Sequence, residues 1–407
     1  MMKRFVSALC SPGALSLVLM CQLTDVGFYG IKAGELLALL MLPFIMLQPG
    51  NVRKSGGIIF LLLFLFLLLS TLVKNPFVDF FQPALVDNLL KEPYVISLVR
   101  FFELLLCGIA LSYTFFLCRN GERAKDMLHC FLTQNAVFGA FFFLCFIASF
   151  AGIDTGMTYG EKHRLKGFFV EGGPLGAYYA ALFCLDIVAN KKLTKPSIIF
   201  LMVILAAQSK AAIFLLVFYF VIYGLLSQRR LSAKLLPIFF SLSIAVVGYT
   251  FYGNHIMGYV NNIADIEGSL IGRENDPSIV MGRVSGSFIG TNIILDNPIL
   301  GVGLGNYSLV RNNPDYLGVF PAVDLWDLTG LGIYTIPIES GLLGLFAFFI
   351  AFWYFYKRLG GAISRQISII PLICLIFGTQ FYFIYLWVVW GFASALSERT
   401  NFDKKNQ

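Results

Sequence analysis

The stretch GGIIFLLLFLFLLLSTLV, residues 56–73, holds no charged side chain. It approaches the ~20 apolar residues with which an α-helix crosses a bilayer, and runs like it recur along the chain. In hydrocarbon every backbone amide must find its partner inside a helix or a closed barrel. These runs are continuously apolar rather than alternating, which excludes the barrel. A hydrophobic fraction of 58% against a charged fraction of 13% agrees. The expected fold is an all-α polytopic membrane protein with about 12 transmembrane helices. They are expected near 9–28, 31–48, 57–73, 93–117, 129–151, 169–189, 197–208, 211–227, 235–252, 333–356, 366–381 and 383–397. The 197–208 piece is short enough to be broken or joined to its neighbour, and 366–397 reads as two helices or one long tilted one.

Charge orients this ladder. Alternate loops carry Arg53 and Lys54, then Arg119, Arg123 and Lys125, then Lys191, Lys192 and Lys195. Arg229, Arg230 and Lys234 follow, then Lys357, Arg358 and Arg365. With Lys3 and Arg4 at one end and Arg399, Lys404 and Lys405 at the other, the positive-inside rule puts both termini in the cytoplasm. The net charge of +7 is therefore a matter of topology and membrane lipid, and it implies no nucleic acid. The first run lacks a persuasive cleavage site and reads as a signal anchor. The eight cysteines fall in or beside apolar runs without a CxxC pair, as packing residues do. One membrane domain is expected over 1–407, with one large extracytoplasmic loop at 253–332. That loop is acidic, so Arg273, Arg283 and Arg311 stand out in it. Residues 77–93 read as an amphipathic segment in the outer interface.

Several stretches carry candidate chemistry. DNPILGVGLGNYSLV, 296–310, alternates Gly301, Gly303 and Gly305. It lacks the third glycine of a dinucleotide fingerprint and a βαβ context, so a nucleotide site is rejected. It reads either as a turn whose N–H groups favour an anion or as a tight turn seating the loop on the membrane. In EKHRLKGFFVEGGPLGAYYA, 161–180, the basic side chains His163, Arg164 and Lys166 precede Glu171 in a helix-breaking Gly-Gly-Pro setting. They line a cavity or touch lipid head groups. Lys210 sits between two apolar stretches, either functional or snorkelling outward. Arg100 and Glu103, spaced i,i+3, form an internal ion pair or a relay. Glu339, in PIESGLLG directly after the large loop, would face the same outer cavity as Arg283. No His/Cys/Asp spacing indicates a metal, and no cofactor motif occurs. Arginines can hold a diphosphate bidentately without one.

Residues 283–344 resemble the O-antigen polymerase and ligase superfamily. Arg283, the run Asp296-Asn297-Pro298, the glycines 301, 303 and 305 with Asn306, and then Glu339, Gly341 and Gly344 follow its arginine, D-N-P glycine turn and E-x-G-L-L-G elements. Arg164, Gly167 and Phe169 are similar to its upstream R-x-x-G-x-F element, and QSKAA to its S-R-G/A element, with Lys210 in place of the arginine. The resemblance implies a GT-C-like glycosyltransferase of the bacterial inner membrane, working at the periplasmic face. Its partners would be undecaprenyl-diphosphate-linked oligosaccharide and a chain-length regulator protein. It further implies that Arg283, Glu171 and Glu339 carry catalysis, with Asp324 and Asp327 as further carboxylates available for the base. Arg164, Lys210, Arg273 and Arg311 would hold diphosphate and glycan. Ligase-type members carry a His-Asn pair about nine residues before the glutamate. Here that place is Gly330-Leu331, and no histidine occurs in 256–407. This favours the polymerase branch, with a ligase or a lipid-linked oligosaccharide flippase as rivals.

Overall fold

The computed structural model describes residues 11–28, 31–86, 88–118, 121–160, 163–226, 264–273, 276–327 and 330–405, with positions 242, 246, 257, 258 and 261. The described residues open with α1 (Pro12–Gln22), a hairpin of β1 (Gly27–Phe28) and β2 (Ile31–Lys32), and the short helices α2 (Ala33–Leu40), α3 (Leu42–Met46) and α4 (Gly50–Ser55). Then come α5 (Gly57–Lys74), α6 (Val95–Leu117) and α7 (Gly121–Phe150). A second hairpin, β3 (Thr158–Tyr159) with β4 (Arg164–Leu165), leads to α8 (Gly172–Asn190), α9 (Lys195–Ala207) and α10 (Lys210–Leu226). Five helices of four to fourteen residues follow: α11 (Ile266–Leu270), α12 (Pro277–Val280), α13 (Arg283–Asp296), α14 (Tyr307–Val310) and α15 (Pro314–Leu317). The chain closes with α16 (Thr335–Arg358), α17 (Ala362–Ile376) and α18 (Ile384–Lys405).

Among the described residues, five helices are long and apolar enough to cross a membrane: Gly57–Phe77, Val95–Leu117, Arg123–Phe150, Gly172–Asn190 and Gly332–Arg358. Six shorter apolar helices accompany them. The expected helix at 235–252 lies outside the described residues apart from positions 242 and 246. α5 shows why such a sequence packs this way. Leu62, Leu65, Leu69 and Leu72 point outward, while Phe60, Leu63, Phe64 and Leu67 are buried. The buried side meets α16 and α18 in an aromatic hub. Phe60 stacks on Trp390 at 5.2 Å and meets Trp387 edge-on at 4.9 Å. Against α5 the lobe of short helices has its own apolar cluster, built on Ile289, Ile293, Val302, Tyr307, Val310 and Phe320.

Regular helix is interrupted at several described places. α9 and α10 are separate because Gln208 turns left-handed, φ 51°, before Ser209. α17 and α18 are likewise two helices, parted by the polar-interrupted segment 377–383. Residues 77–93 form no α-helix, only 3₁₀ turns at Asn75–Phe77 and Leu89–Lys91. Pro76, Pro83 and Pro93 withdraw N–H donors there. Its amides pair with the lobe instead: Phe81 N–H donates to Leu309 O at 2.6 Å and Leu85 N–H to Asp324 O at 2.9 Å.

Candidate functional site

The glycine turn is built to meet a helix. Gly301, Gly303 and Gly305 all have positive φ, at 65°, 97° and 79°. A Cβ on Gly301 would lie 2.6 Å from Ile338 O, and one on Gly305 2.8 Å from Arg100 Cγ. The helix it meets is itself broken: Gly341 of α16 has φ 66° and ψ −176°. There Leu342 N–H donates to Pro298 O at 2.8 Å rather than to Ile338 O, which instead accepts from Val302 N–H at 3.1 Å. Glu339 O accepts from Gly303 N–H at 2.7 Å. The turn thus supplies the bonds the break removes. Leu304 N–H goes to Thr71 Oγ1 at 2.9 Å, and Gly305 N–H faces the Glu339 carboxylate. Asn306 latches the turn to Asn75 Oδ1 at 2.8 Å. With Gly301 on Asn297 O and Asn306 on Gly303 O, every amide from 301 to 306 except that of Gly305 donates to a protein acceptor. Donors committed to α5, α16 and the turn itself favour the tight turn over the anion site.

Freed from regular helix and held by Gly305, Glu339 lines a cleft of ≈ 330 Å³ with Arg100, Trp326, Asp327, Gln380 and Tyr382. A neighbouring space of ≈ 380 Å³ shares Arg100, Glu339, Gln380 and Tyr382 and is otherwise mostly apolar, with Leu67, Leu104 and Phe381. Arg100 is fixed on two sides. Its Nη1 lies 2.5 Å from Glu103 Oε2, and its guanidinium carbon lies 4.2 Å from the centre of the Tyr382 ring. Lys32, delivered by the first hairpin, bridges Glu103 at 3.0 Å and Glu35 at 3.2 Å. A buried charge is tolerated when it is paired in this way. The Arg100–Glu103 pair is therefore present as an internal ion pair, and its arginine also faces the cleft.

The other expected residues are distributed unevenly. Arg283, exposed at the start of α13, lies over the 377–383 segment: a Cβ on Gly378 would sit 3.0 Å from its Nη2. Lys210 opens α10, and one turn on Phe214 stacks on Phe377 at 6.2 Å. Arg164 reaches the same break between α9 and α10, its Nη2 3.5 Å from Gln208 O and its guanidinium 5.2 Å from the Tyr159 ring centre. Glu171 is exposed at the N-cap of α8. Beside it Val170 N–H donates to Asp25 at 3.3 Å. Burial raises the Asp25 carboxyl above its ordinary value, Val170 N–H and Lys32 oppose this, and the Glu171 charge adds to it. Arg164, Glu171, Lys210, Arg283 and Glu339 thus gather at one end of the bundle.

Two of the expected ligand-binding arginines are engaged elsewhere. Arg311 is wholly buried in the lobe, 3.3 Å from Asp327 Oδ2 and donating to Val280 O at 3.3 Å, so it offers a ligand nothing. Arg273 is exposed and grips Asp276 on its own turn at 2.6 Å, away from both groups. Among the proposed bases, Asp324 is exposed, while Asp327 is buried against Arg311. Sequence reasoning missed Trp326, Gln380 and Tyr382. The signal available for the last two was Gly378-Thr379-Gln380, a polar interruption in an apolar run.

A multi-pass helical membrane protein with a buried polar cleft at one end of its bundle is the class these observations define. Residues 196–349 match the family model described as O-antigen ligase, a span running from α9 through the glycine turn to Glu339. The match supports the resemblance to the O-antigen polymerase and ligase superfamily. Arg100, Arg164, Gln380 and Tyr382 lie outside the matched residues. No curated protein matches the chain.

Proposed function

We propose that the chain is an O-antigen polymerase of the inner membrane, transferring a growing glycan from undecaprenyl diphosphate onto a lipid-linked repeat unit at the periplasmic face. The observation that carries this reading is Glu339, released from α16 by Gly341 and presented by Gly305 in a cleft, at the bundle end where Arg164, Lys210 and Arg283 gather. In the proposed step the Glu339 carboxylate takes the proton of an acceptor hydroxyl. The hydroxyl oxygen bonds to the anomeric carbon as its bond to the diphosphate oxygen breaks. The leaving diphosphate keeps that electron pair, and Arg283, Arg164 and Lys210 neutralise its growing charge. No metal enters this proposal. Both termini are cytoplasmic in it, 253–332 is the periplasmic lobe, and a chain-length regulator is its protein partner.

The description of the matched family favours a ligase as the second reading. The absence of histidine from 256–407 argues against a histidine-based ligase. A lipopolysaccharide gel from a strain lacking this gene, with its ligase intact, separates them. Core bearing one repeat unit is expected. Core with no repeat would overturn the polymerase reading and leave ligase or flippase.

A further inference from the structure

Nothing so far gives Arg100, Trp326, Gln380 and Tyr382 a ligand. The cleft they form with Asp327 and Glu339 has an unusual charge balance for a chain that must handle a diphosphate. Arg100 is paired with Glu103, and Asp327 with the buried Arg311. The carboxylate of Glu339 is set against these neutral pairs. A diphosphate placed here would meet the Glu339 carboxylate in a cleft where Arg100 and Asp327 are each already paired, and at low dielectric that repulsion is unfavourable. The lining suits an uncharged ligand rich in hydroxyls. Arg100 and Gln380 donate, Glu339, Asp327 and the Gln380 carbonyl accept, and Trp326 and Tyr382 supply flat apolar walls.

The same 377–383 segment also meets basic groups. Arg283 lies over Gly378, and Phe377 receives α10, which begins at Lys210. One short stretch of chain therefore contributes Gln380 and Tyr382 to the cleft and lies under a cation.

We infer that the cleft is the subsite for the sugar ring of the acceptor. Gln380 and Arg100 orient its hydroxyls, Trp326 packs against its apolar face, and Arg283, over Gly378 of the adjoining segment, takes the donor diphosphate. Lys32 and Glu103 are positioning residues that hold Arg100. This rests on the glycosyl-transfer reading above and adds to it the place and chemistry of one substrate.

The test uses the full-length protein in detergent and two probes: the water-soluble oligosaccharide released from the strain's own repeat unit, and undecaprenyl diphosphate. Trp387 and Trp390 are buried and Trp353 is exposed on α16, so only the emission difference between wild type and Trp326→Phe isolates Trp326. The oligosaccharide should shift that emission saturably. Gln380→Ala should raise its Kd about tenfold or more, roughly the loss of one or two hydrogen bonds, while Arg283→Ala leaves it unchanged. Gln380→Glu, which keeps the shape, guards against a folding defect and should weaken binding too. Undecaprenyl diphosphate should neither shift Trp326 nor compete, and Arg283→Ala should weaken it. Competition between the probes, or a Trp326 response to undecaprenyl diphosphate alone, would overturn the subsite. So would a protein that binds undecaprenyl diphosphate but gives no saccharide response, and that result leaves glycosyl transfer standing. Loss of both probes from intact protein would sink the subsite and the glycosyl-transfer reading together.

Discussion

At the scale of single residues, Glu339 and Arg311 show how differently two buried charges are used. Glu339 receives one backbone N–H and borders open space, whereas Arg311 is enclosed by Asp327 and the Val280 carbonyl. Glu339→Gln keeps the shape and removes the base. It should cut polymer formation by about 10²–10⁴-fold, as loss of general base catalysis does, with insertion unchanged by membrane fractionation. Wild-type ladders from that variant would remove Glu339 from the mechanism. Arg311→Met should instead act on stability, costing about 3–5 kcal/mol because Asp327 is left as an uncompensated buried charge. Thermal unfolding monitored by proteolysis within the lobe reads it, and adding Asp327→Leu should restore much of the loss. Glu339 and Arg283 were legible from sequence as isolated charges near the large loop. The burial of Arg311 was not, because an arginine in an acidic loop has the same sequence signature whether it faces solvent or an aspartate inside the lobe.

The elements owe their shape to where helices stop. Gly341 sits at φ 66°, ψ −176°, a region open essentially to glycine alone, and a Cβ there would fall 2.0 Å from Ile299 O. Gly341→Ala should therefore push the 296–306 turn off α16. We expect polymer to fall at least tenfold and the turn to become protease-sensitive, the strain alone being about 1–3 kcal/mol. Unchanged protection and ladder would mean that the break does not position Glu339. Gln208 is the converse case, a left-handed residue with a side chain, φ 51°. Gln208→Gly should be tolerated, and relief of about 1–2 kcal/mol should appear as a raised Tm. The glycine spacing announced positive φ in advance. It did not announce the partner, since a phosphate and the carbonyls of a broken helix both ask for close backbone approach.

Across the whole molecule, the 377–383 segment joins what the sequence kept apart. It packs on α10, underlies Arg283 and contributes Gln380 and Tyr382 to the cleft. A Cβ on Gly378 would lie 2.4 Å from Gly330 O and 3.0 Å from Arg283 Nη2. Gly378→Ala should accordingly depress undecaprenyl diphosphate binding and saccharide binding together, whereas Arg283→Ala and Gln380→Ala each affect one. A variant that loses only one ligand would show that the segment is not a shared wall. By itself the sequence determined the class of fold, because long uncharged apolar runs leave the backbone no choice but helices packed against one another. It also marked the breaks, through glycine and polar interruptions in those runs. Only the tertiary structure decided which charges meet. Arg100, Asp327, Glu339 and Gln380 come from four separate stretches, and no periodicity along a chain encodes how helices far apart in it are set side by side.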